Sequence, residues 1–310
     1  MFYSSSPSGL KAEVEACFLA PGGPGSLPAV NVSGPRRIVG LVSPHAGYMY
    51  SGSVAANAYY RLAEDGLPDV VVLIGPNHRS YEPAAALPDE DAWHTPLGDV
   101  PLDKAIIYDI AAACPEAAVD AGAHMGEHSL EVQAPFLQYV YGQGSMVNGQ
   151  GSMVNGRGAM GDGQGSMVNG QCSKVFCLVP ILIGASGWKT GEGAVGFARS
   201  LGAAIGESLK GRDAVIIAST DFTHYESSSA AQAKDSKAIA AILDLDEEAL
   251  LETVAGMNIS MCGVLPTAIT IAACKKCGAA SALELAYRTS GDVTGDYAEV
   301  VGYAALEIDR

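Results

Sequence analysis

Three short apolar runs constrain this chain more than anything else in it: Ile38-Val39-Gly40-Leu41-Val42, Val70-Val71-Val72-Leu73-Ile74 and Ala214-Val215-Ile216-Ile217-Ala218. Each reads as a buried strand, rich in β-branched residues and bounded by turn formers. Each also ends in a turn that carries a histidine. The first continues into Ser43-Pro44-His45-Ala46-Gly47, the second into Gly75-Pro76-Asn77-His78, and the third into Ser219-Thr220-Asp221-Phe222-Thr223-His224. Open α/β sheets place their ligand sites beyond the carboxyl ends of strands. A single turn histidine is as well explained by facing water. Three of the six histidines in this arrangement are not: if the strands are neighbours, His45, His78 and His224 converge on one edge.

The segments between these runs have helical spacing. Residues 8–18 repeat apolar positions at Leu10, Val14 and Cys17 or Phe18, and helices are predicted from residue 53 onward and over 102–113, 193–209, 228–243 and 246–254. Another covers 264–273, after Pro266. Residues 21–35 are a Pro/Gly-rich loop, and 123–141 read as a loop entering a helix that Pro135 bends. Residues 174–183 form a further strand in which Pro180 marks an edge or a bulge. Two closing strands lie near 283–288 and 298–306. Strands alternating with helices specify a layered α/β fold with a central, mostly parallel or mixed sheet flanked by helices.

Length and charge narrow the function classes. A chain of 310 residues can bury a large core. Its formal charge of −16, with no basic stripe, excludes a nucleic-acid footprint. No apolar run approaches the ~20 residues of a membrane span, and Met1-Phe2-Tyr3-Ser4 lacks the layout of a signal peptide. Seven cysteines, an odd number, suit reduced thiols. A cytoplasmic protein is expected.

Residues 143–149, 150–156 and 164–170 are identical copies of Gln-Gly-Ser-Met-Val-Asn-Gly, and 157–163 are a degenerate fourth copy. One apolar pair and two glycines per unit cannot build a coiled-coil seam. The tract 143–170 is therefore expected to be an inserted, mobile surface loop. Its regularly spaced methionines would suit a soft metal such as Cu(I), but a plain linker explains them better.

Other chemistries find little support. No phosphate-binding P-loop and no G-x-S-x-G elbow occur. Of two G-x-G-x-x-G matches, one (156–161) falls inside the repeat. The other (191–196) is separated from its strand by six residues and lacks the acidic partner of a dinucleotide site. His124-Met125-Gly126-Glu127-His128 has the H-x-x-E-H spacing of a zinc protease, but Gly126 argues against the continuous helix that motif needs. Cys274-Lys275-Lys276-Cys277 has no second pair at matching distance, so core or surface thiols are expected. Cys262 differs, because it lies in a Gly/Pro-punctuated turn ahead of a helix, where a thiolate is stabilised and serves as nucleophile or ligand.

Five motifs in order, S-P-H-A-G-Y-x-Y-S-G, I-G-P-N-H, E-H-S-L-E-V-Q, S-T-D-F-T-H-Y and M-C-G-V-L-P-T-A-I, resemble the Memo family, protein B of the AmmeMemoRadiSam system. The resemblance runs from Phe2-Tyr3 to Val301-Gly302-Tyr303-Ala304-Ala305, and the repeat is its clear departure. It implies one domain over 1–310 with a fold similar to the class III extradiol dioxygenases (LigB-like). It also implies metal ligands at His45, His78 and Cys262 and a catalytic histidine at His224, with Asp221 and His128 nearby. Tyr50 is expected to close the pocket. The dioxygenases carry a carboxylate where this chain has Cys262. Two imidazoles and a thiolate shift preference towards copper or zinc while still accepting iron, so dioxygenase activity does not follow from the fold.

The expectation is one copper or iron ion (zinc being compatible) in a redox protein. His224 would act as acid/base, and Asp221 would orient it or hold a ligand histidine from behind. The alternative is a non-catalytic peptide- or protein-binding module. The resemblance implies as partners a radical SAM protein and the small AmmeMemoRadiSam protein A.

Overall fold

The computed structural model describes residues 2–79, 83–147, 176–184 and 191–310, with the side chains of 143–147 excepted. The chain opens with α1 (Pro7–Leu19), capped by the Ser6 hydroxyl, which accepts from the Gly9 N–H. Next come β1 (Ile38–Ser43), α2 (Tyr48–Asp65) and β2 (Val70–Pro76). Short strands β3 (Ala85–Leu87), β4 (Ala92–Thr95) and β5 (Gly98–Pro101) lead to α3 (Lys104–Ala113) and β6 (Ala117–Val119). After α4 (Ala134–Val147) come β7 (Cys177–Ile183), α5 (Glu192–Ser208), β8 (Ala214–Ser219) and β9 (His224–Glu226). Three helices, α6 (Ser228–Leu243), α7 (Glu247–Gly256) and α8 (Val264–Lys276), precede the hairpin of β10 (Ser281–Thr289) and β11 (Val300–Asp309).

The sheet is mixed, in the order β10-β11-β1-β8-β2-β7-β3-β6, with β9 added to β11. Its centre, β1-β8-β2-β7, is parallel. β11 runs antiparallel to β1, β10 to β11, and β3 to β7. Every residue of β1, β2 and β8 is buried, so both faces of the centre are covered. α1, α2 and α4 pack together as one layer, and α5, α7 and α8 as another. The three strands predicted to be neighbours are neighbours. Ser43 pairs with Ser219, and Ile74 with Ala218, so the carboxyl ends of β1, β8 and β2 lie level.

Prolines and helix starts show where local reading departs from the structure. Pro180 lies within the sheet, fully in register with β2. Its neighbour of like parity, Leu178, directs its carbonyl away from β2 to the Asp103 N–H. β3 reaches only Leu182 and Ile183, so the N–H that Pro180 lacks would have had no ladder partner. Pro135 begins α4 rather than bending it, occupying the first turn where a missing N–H is harmless. α2 starts at Tyr48, five residues before the predicted start, with Gly47 as its cap. Residues 143–147 of the repeat continue the α4 backbone; the remainder of 143–170 lies outside the described residues, as do 174–175 of the predicted strand. Cys274 is a core thiol that donates to the Val39 carbonyl at 3.6 Å. Among the described residues, no helix is long and apolar enough to cross a membrane.

Candidate metal centre

His45 leaves the end of β1 and is buried. Its Nδ1 lies 3.0 Å from Ser219 Oγ at the end of β8. The Ser219 hydroxyl has a single hydrogen, which goes to the Ser129 carbonyl at 2.5 Å, since that group can only accept. Gln133 Nε2 donates to the same oxygen at 2.8 Å and to the Pro44 carbonyl at 3.0 Å. Ser219 Oγ therefore accepts from His45 Nδ1–H, and His45 Nε2 keeps its lone pair. That nitrogen faces Cys262 Sγ at 3.3 Å. Burial lowers the His45 pKa to about 4 against the pull of Asp221, so the ring is neutral at physiological pH, the form that binds metal.

His78 is fixed by Glu127. The His78 backbone N–H donates to Glu127 Oε2 at 2.6 Å, and its Nδ1 lies 3.1 Å from Oε1. Oε1 also accepts from the N–H groups of His128 (2.7 Å) and Ser129 (2.9 Å), and lies 3.2 Å from His128 Nδ1. Burial opposes a charge on Glu127. The hydrogen bonds from His128 and His78 and from the backbone outweigh it and hold the carboxyl well below the usual carboxylate range. A carboxylate only accepts, so His78 also presents Nε2 as its free donor atom.

Cys262 immediately precedes the Gly263 cap of α8. A Cβ at Gly263 would lie 2.5 Å from Thr220 Cβ and 2.7 Å from the Ser219 carbonyl, so only glycine lets the α8 start approach the end of β8 this closely. The Asp221 N–H donates to Cys262 Sγ at 3.2 Å, and the Cys262 N–H to the Asp221 carbonyl at 3.3 Å. A helix start was expected to favour the thiolate. Instead, burial pushes the Cys262 thiol up, and the Asp221 carboxylate adds to the shift. The protein alone keeps this group protonated, and a bound cation would displace the proton.

His45, His78 and Cys262 offer donor atoms that all lie within 4.8 Å of one another. Bonds of about 2.0–2.3 Å to nitrogen and sulfur would bring such a set onto one ion with small side-chain shifts. The residues fit a metal on three counts: two imidazoles with their other nitrogens spent, a sulfur, and hydrogen-bonded supports behind each ring. His78, Glu127 and His128 form a second such group. Both oxygens of Glu127 are already held by backbone N–H groups, which makes Glu127 a support rather than a ligand.

The other predicted residues lie around this set. His128 stacks on His78 (4.9 Å) and meets His45 edge-on (5.6 Å), and Phe2 covers its other face at 4.2 Å. Asp221 Oδ1 accepts the His45 backbone N–H at 2.8 Å, so Asp221 holds His45 rather than His224. His224 stands apart from the cluster. Its Nδ1 donates to the Ser260 carbonyl at 2.9 Å, two residues before Cys262, and among the described residues no contact joins its ring to His45, His78 or Cys262. Tyr50, in the first turn of α2, is exposed. His124 donates from Nε2 to the Ala86 carbonyl, and Gly126 breaks the H-x-x-E-H stretch at φ +70°. Sequence reading assigned no role to Glu127 as a support, to Ser219 or to Gln133. The signal was there in Gln133 and Glu127, polar residues of one motif that are buried in the fold.

The family model for Memo-like proteins matches residues 1–307. A MEMO1 family protein of Methanopyrus kandleri is 43% identical, the match covering 100% of this chain and 96% of that one. One from Methanothermobacter thermautotrophicus is 39% identical over 98% of this chain and 96% of its own length. One from Methanocaldococcus jannaschii is 37% identical over 100% and 96%.

Proposed function

The chain belongs to the Memo-like family, and from that premise we propose that it is a metal-dependent redox protein whose His45, His78 and Cys262 hold one copper or iron ion. The observation that carries this reading is the gathering of two imidazole nitrogens and one sulfur within 4.8 Å, each ring turned by a partner on its far side. Two imidazoles and a thiolate suit copper or iron, and also accept zinc. When bound, the ion would supply electron transfer and an open position for an oxidant or organic substrate.

The protein's own groups do the rest. Ser219 and Glu127 fix the two rings so that Nε2 of each points inward. Asp221 holds the His45 backbone, and Phe2 shields His128 from water. His224, with Nδ1 spent on Ser260, has Nε2 available to take or give a proton at the rim of the site. Tyr50 borders the same opening. Exposed Phe2, Met49, Tyr50 and Tyr225 favour a partner contact at this face. A radical SAM protein, with the small AmmeMemoRadiSam protein A, is the proposed partner set. Loss of partner capture on His45→Ala, without turnover of any oxidant, would favour a binding role over a catalytic one.

The test is elemental analysis of anaerobically purified protein beside Cys262→Ala. Near one copper or iron per chain, lost in the variant, is the expected result. No bound transition metal and no uptake on titration would overturn the proposal.

A further inference from the structure

With one exception, the buried tyrosines among the described residues satisfy their hydroxyls. Tyr48 donates to the Val132 carbonyl at 2.7 Å, Tyr59 to Gln133 Oε1 at 2.5 Å, and Tyr141 to the Pro68 carbonyl. Tyr303 is the exception. It is 2% exposed, yet among the described residues its hydroxyl has no hydrogen-bond partner. Nor is the oxygen one of the sealed, unpaired polar atoms of the interior, so the hydroxyl is the part of this side chain that reaches open space. A buried tyrosine with an idle hydroxyl calls for a ligand.

The fold shows where that hydroxyl lies. β11 runs antiparallel to β1, with Val42 opposite Leu306. Past the end of β1 that edge of β11 is taken over by the segment after β8: the Phe222 N–H donates to the Gly302 carbonyl and the Gly302 N–H to the Thr223 carbonyl, both at 2.9 Å. β9 continues along that same edge, pairing Val301 with His224, while β10 takes the other edge. Tyr303 thus follows directly on the β11 residues that pair with the Phe222–His224 segment, next to Asp221. The titratable groups that act on its phenol are Asp221, Tyr50 and Tyr225, and burial together with these raises its pKa, so it remains a donor. Asp221 Oδ1 is taken by the His45 N–H. Its Oδ2 has only the long 4.0 Å approach to His45 Nε2 and is open as an acceptor.

Tyr225 adds an unusual wall. It is 75% exposed and holds φ +59°, a left-handed conformation strained for an aromatic residue. Among the described residues, the other non-glycine residues in that region, Leu245 and Asn258, follow the ends of α6 and α7, where such a turn is the ordinary helix stop. Tyr225 ends no helix. Its ring lies 5.9 Å from that of His224, tilted by 60°.

We infer that Tyr303 and Asp221 form a donor–acceptor pair for a neutral primary carboxamide carried on a planar body, with the rings of Tyr225 and Tyr50 as walls. The inference rests on the metal-site reading only for the exclusion of charged ligands. An anion would lie against Asp221, and a cation beside the ion held by His45 and Cys262. A carboxamide presents a carbonyl oxygen to Tyr303 and an N–H to Asp221 on one edge, and few polar groups set in apolar walls are the usual make-up of a ligand pocket.

The test uses the full chain and benzamide as probe, with N,N-dimethylbenzamide, benzoate and benzylamine as controls, read by ligand-detected NMR titration. Benzamide is expected to bind, and each control to bind at least about tenfold more weakly. Tyr303→Phe, which removes only an unpartnered hydroxyl, is expected to weaken benzamide about tenfold, the usual effect of one lost hydrogen bond, while leaving thermal stability and metal per chain unchanged. Tyr225→Gly, compatible with the local backbone, is expected to weaken benzamide as well. Equal affinity of Tyr303→Phe and the parent, or preference for benzoate or benzylamine, would overturn the inference. A parent protein that takes up no metal yet shows the Tyr303-dependent benzamide binding would sink the metal reading and leave this one standing.

Discussion

Two strand-end histidines and a third show the same sequence design and meet different fates. His45 and His78 turn inward because each has a polar group behind it that can take only the Nδ1 hydrogen: Ser219 for one, Glu127 for the other. His224 also follows a buried strand, but the turn after β8 is longer, and Asp221 occupies the place nearest the cluster. His224 reaches β9, pairs with β11 and is held by Ser260 at the rim. What separates a proposed ligand histidine from a rim histidine here is the partner behind the ring and the number of residues in the turn.

The largest break in this comparison is expected from Cys262→Ala or His45→Ala, which should take metal from about one per chain to none by elemental analysis. Retained stoichiometry would mean that the inward corner is not the binding site. Next is Glu127→Gln. An amide must place its NH2 against at least one of the three backbone N–H groups that Glu127 accepts, so His78 loses its anchor. Metal affinity should fall about 10–100-fold, as for other residues that support a ligand from behind, read by competition with a chelator. Ser219→Ala leaves His45 Nδ1 without an acceptor and the Ser129 carbonyl without its donor, and it leaves Gln133 Nε2 with only the Pro44 carbonyl. A stability loss of about 1–3 kcal/mol is expected in urea titration, with a metal-affinity loss smaller than that of Glu127→Gln. The smallest effect belongs to the rim: His224→Gln should leave metal content unchanged and alter only turnover and its pH profile. Loss of metal there would erase the distinction between the two kinds of histidine.

Much of this was legible in residue order. β1, β2 and β8 are continuous apolar runs because they are buried on both faces, and such runs need no context to be read. α1 and α6 announce themselves by spacing. The start of α2 did not, because Tyr48-Met49-Tyr50 are ordinary helix residues whose placement depends on Gly47 and on the Tyr48 hydroxyl reaching Val132. β3, β6 and β9 are three residues each and exist through their neighbours. At the site, ligand types follow from strand ends and from the family motifs. The supports do not. Glu127 matched a protease-like spacing and Ser219 was one more residue of a strand, and only the closure of the sheet brings either behind a ring. The Cys262 thiol was misjudged for a related reason: a helix start favours the anion, whereas the burial that outweighs it belongs to the tertiary structure.

The position of β1 between β8 and β11 also sets an order in time. His45 leaves the ribosome early, but its strand has no neighbour until residues 214–219 emerge, and its second neighbour ends at Asp309. At about 5–20 residues per second of synthesis, the first proposed ligand waits many seconds for Ser219 and longer for the strand that carries Tyr303. Such distant pairings form slowly. The pocket is therefore finished last, and a chain interrupted anywhere between His78 and β11 has both proposed ligand histidines and no closed site to hold them.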